Sequence, residues 1–325
     1  MMGVGIKNTS GKPRIAFIAE PGEFSFLDPI IKNLSVRYET KVFSGNTAEE
    51  LYDIMQWSDV SWFEWCKPIL AYVTQRPKIC KVVCRLHSYE TYTGTPSMVR
   101  WGGVDRLIFV ANHIKEKTKR LVPFLEEKVD TVVIPNGVDV DNFAFKDRKP
   151  GYNIAFIGDF RPAKNIPLLL QCFKEIVNLN PKYKLHIVGR CNDDYPPALE
   201  IKDYFDHIIK LWHLEKNITF YGFIKDINNW LEDKNFIIST SIRESQGMGI
   251  MEAMARGIKP IIHYFPGANE IYPEKYLFET PEKFRKLVFS KDYKSIEYKE
   301  FIDEHYSSEK QLKTVNKLVE DLIRK

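Results

Sequence analysis

The sequence predicts an α/β protein made of two doubly wound domains. Its 325 residues exceed the usual size of a single hydrophobic core, so two domains are expected. Short apolar segments rich in β-branched and aromatic residues alternate with longer amphipathic segments, which is typical of parallel strands joined by helices. A polar break near the middle of the chain divides this series in two. Hydrophobic residues make up 44% of the sequence, enough to fill two cores.

The first series contains strand-like segments with helix-like segments between them. In chain order the strand-like segments are Arg14–Ala19, Thr40–Phe43, Val60–Phe63, Val82–Leu86, Arg106–Val110 and Thr131–Ile134. The turn-forming pair Asn136-Gly137 and the charged run Lys146–Gly151 follow them. Residues 1–148 are therefore predicted to form the N-terminal domain.

The second series has the same alternation and predicts a C-terminal domain over residues 149–306. Its strand-like segments are Ile154–Ile157, Lys184–Val188, Ile218–Tyr221, Phe236–Thr240 and Lys259–Ile262. Residues 307–325 should form a closing helix, because apolar side chains recur at helical spacing through Glu309–Arg324. Ligands of such sheets bind beyond the carboxyl ends of the strands, so we expect a site in a cleft between the two domains.

The charge of the chain indicates which partners to expect. A net charge of +4 is too mild for a protein that binds a nucleic-acid backbone, so no nucleic acid is expected. One predicted helix carries a local cluster of cations, namely Lys115, Lys117, Lys119 and Arg120. The cluster could contact an anionic membrane surface or an acidic acceptor; the alternative is an ordinary solvated helix face.

The cysteines and the N-terminus predict a location. The cysteines are odd in number, have no C-x-x-C spacing, and are Cys66, Cys80, Cys84, Cys172 and Cys191. Free thiols in a reducing compartment fit this pattern. Met1–Lys12 lacks the apolar core of a signal peptide, and no apolar run approaches the ~20 residues that span a bilayer. We expect a cytoplasmic protein, with peripheral attachment to the inner face of a membrane left open.

The segment 241–257 is the richest in chemistry, because a strand end, a glycine-bearing turn and a helix start follow one another there. Glu244 lies in the turn and Glu252 about one and a half turns inside the helix. The helix start Gly247-Met248-Gly249 offers free backbone amides and the positive end of a helix dipole, which suit a diphosphate. Carboxylates suit paired hydroxyls. The segment could therefore hold phosphate through its backbone and sugar or ribose through its glutamates.

Glu244-x7-Glu252, followed by Ala253-Met-Ala-Arg-Gly-x-x-Pro260, resembles the pattern of retaining glycosyltransferases of family four, which have the two-domain GT-B fold. Further segments resemble the family in the right order: Phe109–Ile114, Val133–Asp139 with Phe143, Ile154–Gly158 with Lys164 and Asn165, Lys184–Gly189 and Ile218–Gly222. The resemblance runs from about residue 14 to residue 280 and is strongest in the second domain.

The resemblance implies how the donor diphosphate is held. In the family, an arginine directly after a glycine and a lysine five residues later neutralise the leaving group. Gly158 and Lys164 stand in register with that pattern, but Asp159 occupies the arginine position. Arg161 or Arg243 could replace the missing guanidinium. If neither does, the chain could be a non-catalytic protein that binds a nucleotide or a glycan.

Two loops of the first domain complete the implied site. His87 follows the strand Val82–Leu86, where the family often has a histidine that contacts the donor sugar. Glu90 is a further polar candidate in the same loop. The first loop, 20–26, keeps only Gly22 of the family's glycine pair, and Gly22 could approach the donor. Asp139-x-Asp141 has the form of a metal-binding pair but lies inside a loop pattern, so no metal site is expected.

The resemblance implies a metal-independent, hexosyltransferase-like enzyme of polysaccharide biosynthesis. It would move a sugar from a nucleotide-diphosphate donor, a UDP- or GDP-sugar, to a hydroxyl of a glycan, lipid-linked or small-molecule acceptor, with retention. No further cofactor is expected. Lys164 with Arg161 or Arg243 would stabilise the diphosphate, Glu252 would bind ribose, and Glu244 and His87 would bind the sugar.

Alternative functions stay open on the same architecture. A GT-B sugar-nucleotide epimerase would need a general acid and base on the sugar ring. A nicotinamide-dependent oxidoreductase would need Gly-x-Gly-x-x-Gly after its first strand, and the pair Gly247 and Gly249 lacks the third glycine and follows a late strand.

Overall fold

The computed structural model describes residues 11–20, 26–43 and 45–324, and it divides into two compact units. The first unit comprises the chain up to Gly137 together with the segment from Glu309 onward, and the second comprises Val138–Ser308. Each unit contains a six-stranded sheet whose strands pair in parallel. The predicted α/β class with two doubly wound sheets is confirmed.

The first unit has the strand order β2-β1-β3-β4-β5-β6. Its strands are β1 (Arg14–Ile18), β2 (Glu39–Val42), β3 (Val60–Glu64), β4 (Lys81–Leu86), β5 (Arg106–Phe109) and β6 (Thr131–Val133). Its helices before residue 137 are α1 (Asp28–Leu34), α2 (Ala48–Trp57), α3 (Pro68–Thr74), α4 (Thr95–Met98), α5 (Asn112–Leu121) and α6 (Leu125–Lys128). Strands β1, β3 and β4 are buried along nearly their whole length, as expected for central strands of a parallel sheet.

The second unit has the strand order β12-β11-β10-β7-β8-β9. Its strands are β7 (Asn153–Ile157), β8 (Lys184–Val188), β9 (Ile218–Phe220), β10 (Phe236–Ser239), β11 (Lys259–His263) and β12 (Leu277–Phe278). Its helices are α7 (Ile166–Leu179), α8 (Pro196–Leu211), α9 (Ile227–Trp230), α10 (Met248–Ala255), α11 (Ala268–Ile271), α12 (Pro281–Phe289) and α13 (Ser295–Tyr306). Every strand predicted from the sequence is present. The two-residue strand β12 was not predicted, because it is too short to show a period.

The segment 138–148 belongs to the second unit, whereas the sequence assigned it to the first domain. Arg148 shows the physical reason. Its Nε donates to the carbonyl of Arg256 at 2.9 Å, and its Nη1 donates to the carbonyls of Glu232 and Lys234 at 2.8 and 2.9 Å. The charged segment Lys146–Gly151, which has the composition of a linker, is therefore hydrogen-bonded to the second unit.

The last helix, α14 (Ser308–Arg324), completes the core of the first unit. Val315, Val319 and Leu322 are buried there, in one cluster with Phe17 and Trp62 of the sheet. The amphipathic helix predicted at this place is present. With 17 residues it is the longest described helix, and no helix within the described ranges is long and apolar enough to cross a bilayer.

Candidate functional site

The second unit joins two loops at the carboxyl ends of neighbouring strands. Strands β7 and β10 pair in parallel, so the loops that follow them leave the same edge of the sheet. The amide of Ile242 donates to the carbonyl of Ala163 at 2.9 Å, and the Thr240 hydroxyl donates to the carbonyl of Lys164 at 2.8 Å. Residues 158–165 and 240–249 are therefore held together at this edge of the sheet.

Lys164 and Glu244 form an ion pair in this site. Lys164 Nζ lies 2.5 Å from Glu244 Oε1, and the Ser241 hydroxyl donates to the same oxygen at 2.7 Å. The side chains of Lys164 and Glu244 are 26% and 14% exposed. The methylene stem of Lys164 lies over Gly158, where an added Cβ would stand 3.0 Å from Lys164 Cδ. Two residues predicted from separate motifs thus meet in one partly buried pair.

The start of α10 is fixed from two sides. Gly247 precedes the helix with φ +79°, in the left-handed region that favours glycine. The buried Tyr272 hydroxyl donates to the carbonyl of Gln246. At Gly249 an added Cβ would stand 3.0 Å from Ile157 Cγ2, so the first turn lies directly against the end of β7. The first amides of a helix have no intrahelical acceptor and carry positive partial charge, so this turn can receive an anion.

We expect Tyr272→Phe to lower the free energy of unfolding by about 1 kcal/mol, because it leaves the buried carbonyl of Gln246 without its hydroxyl donor. Urea unfolding measures the change. Tyr264→Phe is the matched control, since the Tyr264 hydroxyl donates to Glu274 at 2.8 Å in an exposed pair. An equal loss in both variants would contradict the assignment of a special role to the buried bond.

Glu252 lies on α10 with its carboxyl partly buried and without a hydrogen-bond or ion-pair partner among the described residues. Burial raises the pKa of Glu252 to about 7. A buried carboxyl without donors is costly to ionise, and a ligand that brings hydroxyl donors would relieve that cost. Glu252 was predicted from the sequence as a ligand for paired hydroxyls.

Asp159, which stands at the family's arginine position, has local partners. Its Oδ1 accepts from the amide of Arg190 at 2.8 Å, and its Oδ2 lies 3.7 Å from Nη2 of Arg161. The Arg161 side chain is 56% exposed, so its guanidinium is accessible to a ligand. Arg243 is partly buried, one residue before Glu244. The aspartate therefore joins the loops after β7 and β8, and it lies in ion-pair distance of the exposed Arg161.

In the first unit, His87 is buried at the end of β4. Its Nε2 lies 2.8 Å from Oε1 of Glu64, its ring stacks on Trp65 with centroids 4.0 Å apart, and its amide donates to Glu90 at 3.0 Å. The sequence predicted His87 and Glu90 but missed Glu64, the last residue of β3. Its signal was a lone carboxylate at the end of the apolar run Val60–Phe63. Gly22 lies outside the described residues.

The cation cluster on α5 is partly neutralised. Glu126 Oε1 lies 2.6 Å from Lys115 Nζ, and its Oε2 lies 3.1 Å from Lys119 Nζ. Lys117 Nζ lies 2.8 Å from the ring centroid of the exposed Tyr92. Arg120 is exposed. Ion pairs with Glu126 thus account for Lys115 and Lys119, whereas Lys117 contacts an exposed aromatic ring and Arg120 is exposed.

Asp139 and Asp141 lie in a loop of the second unit. Asp139 Oδ1 accepts from the amide of Asn142 at 3.2 Å, which is a local turn contact. In the part of the chain that the structure describes, no group of three or more His, Cys, Asp or Glu side chains is placed to hold a metal ion.

The sequence is similar to known transferases. A family model described as "Glycosyl transferases group 1" matches residues 139–320. The phosphatidyl-myo-inositol mannosyltransferase of Mycobacterium tuberculosis is 39% identical over 137 residues, covering 39% of this chain and 33% of that protein. The human GDP-Man:Man(3)GlcNAc(2)-PP-Dol alpha-1,2-mannosyltransferase is 25% identical over 163 residues, covering 44% of this chain and 32% of that protein. The chain spans about a third of the length of these relatives.

The fold is similar to solved structures over most of the chain. Anabaena HepE, solved in complex with UDP-glucose, superposes with a TM-score of 0.78 at 15% identity, covering 95% of this chain and 99% of that one. A mutant of Staphylococcus aureus TarM, solved with UDP, superposes with a TM-score of 0.65 at 21% identity, covering 82% of this chain and 55% of that one. These likenesses confirm the predicted fold.

Proposed function

Since this chain belongs to the group 1 glycosyl transferases, we propose that it is a retaining, metal-independent glycosyltransferase that moves a sugar from a nucleotide diphosphate to an acceptor hydroxyl. The observation that supports this proposal most strongly is the contact between the loops after β7 and β10. These loops bring Lys164, Glu244 and the start of α10 together at one edge of the sheet. A cation, free helix amides and carboxylates in one place suit a diphosphate that bears two sugars.

Donor binding would exchange the partners of the ion pair. The diphosphate, with its two negative charges, would replace Glu244 as the partner of Lys164. It would also accept hydrogen bonds from the backbone amides at the start of α10. Glu244 would then keep its bond from Ser241 and accept hydrogen bonds from hydroxyls of the donor sugar. Glu252 would accept from the ribose hydroxyls, and His87 would bind the sugar.

During transfer, the acceptor oxygen bonds to the anomeric carbon while the bond from that carbon to the phosphate oxygen breaks. Negative charge builds on the departing diphosphate, where Lys164 and either Arg161 or Arg243 would stabilise it. Attack on the face from which the phosphate departs would retain the configuration, with the acceptor proton passing to the phosphate. No protein side chain is assigned as a general base.

The donor and acceptor classes are inferred from the relatives. HepE was solved with UDP-glucose and the human relative is named for GDP-mannose, so UDP- and GDP-sugars are the donors to test first. The name of the mycobacterial relative includes phosphatidyl-myo-inositol. We propose a glycan or lipid-linked acceptor, reached from the cytoplasmic face of a membrane.

A thermal-stability screen with UDP, GDP, ADP, CMP and the matching sugar nucleotides tests the donor site. A ligand at a hundredfold excess over Kd should stabilise the folded protein by about 2.7 kcal/mol. We expect one diphosphate family to shift Tm and the shift to be lost in Glu252→Ala. No shift at millimolar concentrations would contradict the donor site, and binding without any transfer would favour the non-catalytic alternative.

Vesicle co-sedimentation tests the membrane contact. We expect binding to vesicles with phosphatidylglycerol and not to pure phosphatidylcholine, because each Lys or Arg near an anionic surface contributes about 1 kcal/mol. Replacing both Lys117 and Arg120 by Glu should abolish it. Lys182→Glu, at an exposed site of the second unit, is the control. Equal binding to both vesicle types would contradict an electrostatic contact.

A further inference from the structure

A network of buried charges surrounds His87 at the ends of β3 and β4. The side chains of Glu64, Arg85 and His87 are 0%, 1% and 3% exposed. His87 Nε2 lies 2.8 Å and Arg85 Nη1 lies 3.4 Å from Glu64 Oε1. Trp62 Nε1 donates to Glu64 Oε2 at 3.0 Å. The carboxyl group is therefore surrounded by nitrogen groups that can donate to it.

The ionisation of Glu64 decides where the proton of His87 lies. Burial by itself would raise the pKa of Glu64, but Arg85, His87 and the indole of Trp62 together outweigh burial and hold that pKa below its usual value. Glu64 is then a carboxylate, which accepts hydrogen bonds and donates none. His87 must carry a proton on Nε2 to make this bond. In the neutral imidazole, Nδ1 is consequently a hydrogen-bond acceptor, and no described residue is bonded to it.

The ring of His87 is also fixed in orientation. Trp65 stacks on it with centroids 4.0 Å apart and planes inclined by 28°, and Phe26 lies 5.6 Å away on centroids. Trp65 has φ +71°, a backbone conformation rare for a bulky residue. Such strain costs on the order of 1–3 kcal/mol and persists where surrounding structure imposes it, often at functional sites. The residue that stacks on His87 is thus itself held in a strained backbone conformation.

We propose that Glu64 is a positioning residue for recognition of the donor sugar. It holds the proton of His87 on Nε2 and so presents the Nδ1 lone pair to a sugar hydroxyl, which donates to it. This inference rests on the proposed function, in which His87 binds the sugar. It adds the requirement that the recognised sugar group is a hydrogen-bond donor, and it assigns a role to a residue outside the motifs.

The proton position can be measured without any substrate. Two-bond ¹H–¹⁵N correlation spectra of the labelled protein distinguish the two imidazole tautomers, and His87→Ala identifies the His87 signals. We expect the Nε2–H form in the wild type. In Glu64→Gln, whose amide can donate to Nε2, we expect the Nδ1–H form to gain population. A wild-type proton on Nδ1, or unchanged ring signals in Glu64→Gln, would overturn the inference.

Calorimetry separates sugar recognition from diphosphate binding. Glu64→Gln is expected to weaken UDP-glucose binding about tenfold and to leave the Kd of UDP unchanged within about twofold, since one sugar hydrogen bond is affected. If the thermal-stability screen shows binding of guanosine nucleotides, GDP-mannose and GDP replace UDP-glucose and UDP in this comparison. Glu39→Gln, at an exposed position of β2 in the same unit, is the control and should leave both affinities unchanged.

The outcomes distinguish this inference from the function on which it rests. A wild-type protein that binds none of the nucleotides and sugar nucleotides in the screen would overturn the proposed function, and the sugar contact with it. A wild type that binds, with Glu64→Gln losing nucleotide and nucleotide sugar equally, would overturn only the positioning role. If Glu64→Gln does not fold, Glu64→Asp takes its place in the calorimetry. Its shorter side chain withdraws the carboxylate from Nε2, so UDP-glucose binding should weaken while UDP binding stays unchanged.

Discussion

Lys164→Ala is expected to lower the rate of sugar transfer by about 10²–10³-fold, the usual effect of removing one group that stabilises a leaving anion. Lys164 is the cation held at the junction of the two loops, where its partner is Glu244. A diphosphate at that place would lose its charge partner in the variant. Initial rates of transfer with the donor identified in the screen measure the effect.

Two further variants make this result specific. Lys164→Arg keeps the positive charge and should recover part of the lost rate. Lys182→Ala removes an exposed lysine of the same unit and should leave the rate unchanged. If Lys164→Ala retained more than about a third of the wild-type rate, Lys164 would not be the leaving-group cation, and that role would pass to Arg161 or Arg243.

Glu252→Gln is expected to make the protein more stable at pH 8 by about 3 kcal/mol, because a pKa raised from about 4.5 to about 7 disfavours the ionised carboxyl in the folded state. Between these two values the unfolded chain has lost the proton that the folded protein keeps, so wild-type stability falls as pH rises through this range. Glu252→Gln has no carboxyl to ionise, so its free energy of unfolding should not fall over this pH range for this reason. Urea unfolding at pH 8 and pH 5 measures it, and at pH 5 the gain should fall below about 1 kcal/mol.

The same carboxyl predicts how donor affinity depends on pH. Ribose hydroxyls donate to the carboxylate form, so binding of UDP-glucose should strengthen about tenfold from pH 6 to pH 8 as Glu252 ionises. Glu252→Gln should bind weakly with no such dependence. Glu200→Gln, at an exposed position on α8, is the control for both measurements. A wild-type affinity independent of pH would contradict the ribose assignment.

The strands were predictable because each core strand is an apolar, β-branched run between polar segments, and pairing in a parallel sheet needs no more detailed signal. The ion pair of Lys164 and Glu244 was predictable in outline, since both residues follow strands and such ends share one sheet edge. The boundary at 148 differs from the structure because Arg148 is held by carbonyls from residues 232 to 256, and long-range bonds leave no local pattern.

Glu64, and the structural contact of Asp159, escaped sequence analysis for a related reason. Glu64 matters through Arg85, its register partner on β4, and through His87 just beyond that strand. Asp159 matters through the amide of Arg190 after β8. A lone carboxylate after an apolar run has no spacing to detect, and its partners are supplied only when neighbouring strands align.

The return of α14 to the first unit makes that unit discontinuous in sequence, with the whole second unit inserted between its parts. During synthesis the ribosome delivers every residue of the second unit before Val315, Val319 and Leu322 emerge. The sequence of the second unit is therefore complete before that of the first. The first unit cannot complete its core until α14 has emerged, so in the nascent chain the apolar side chains of its sheet that pack against this helix stay uncovered until the end of synthesis.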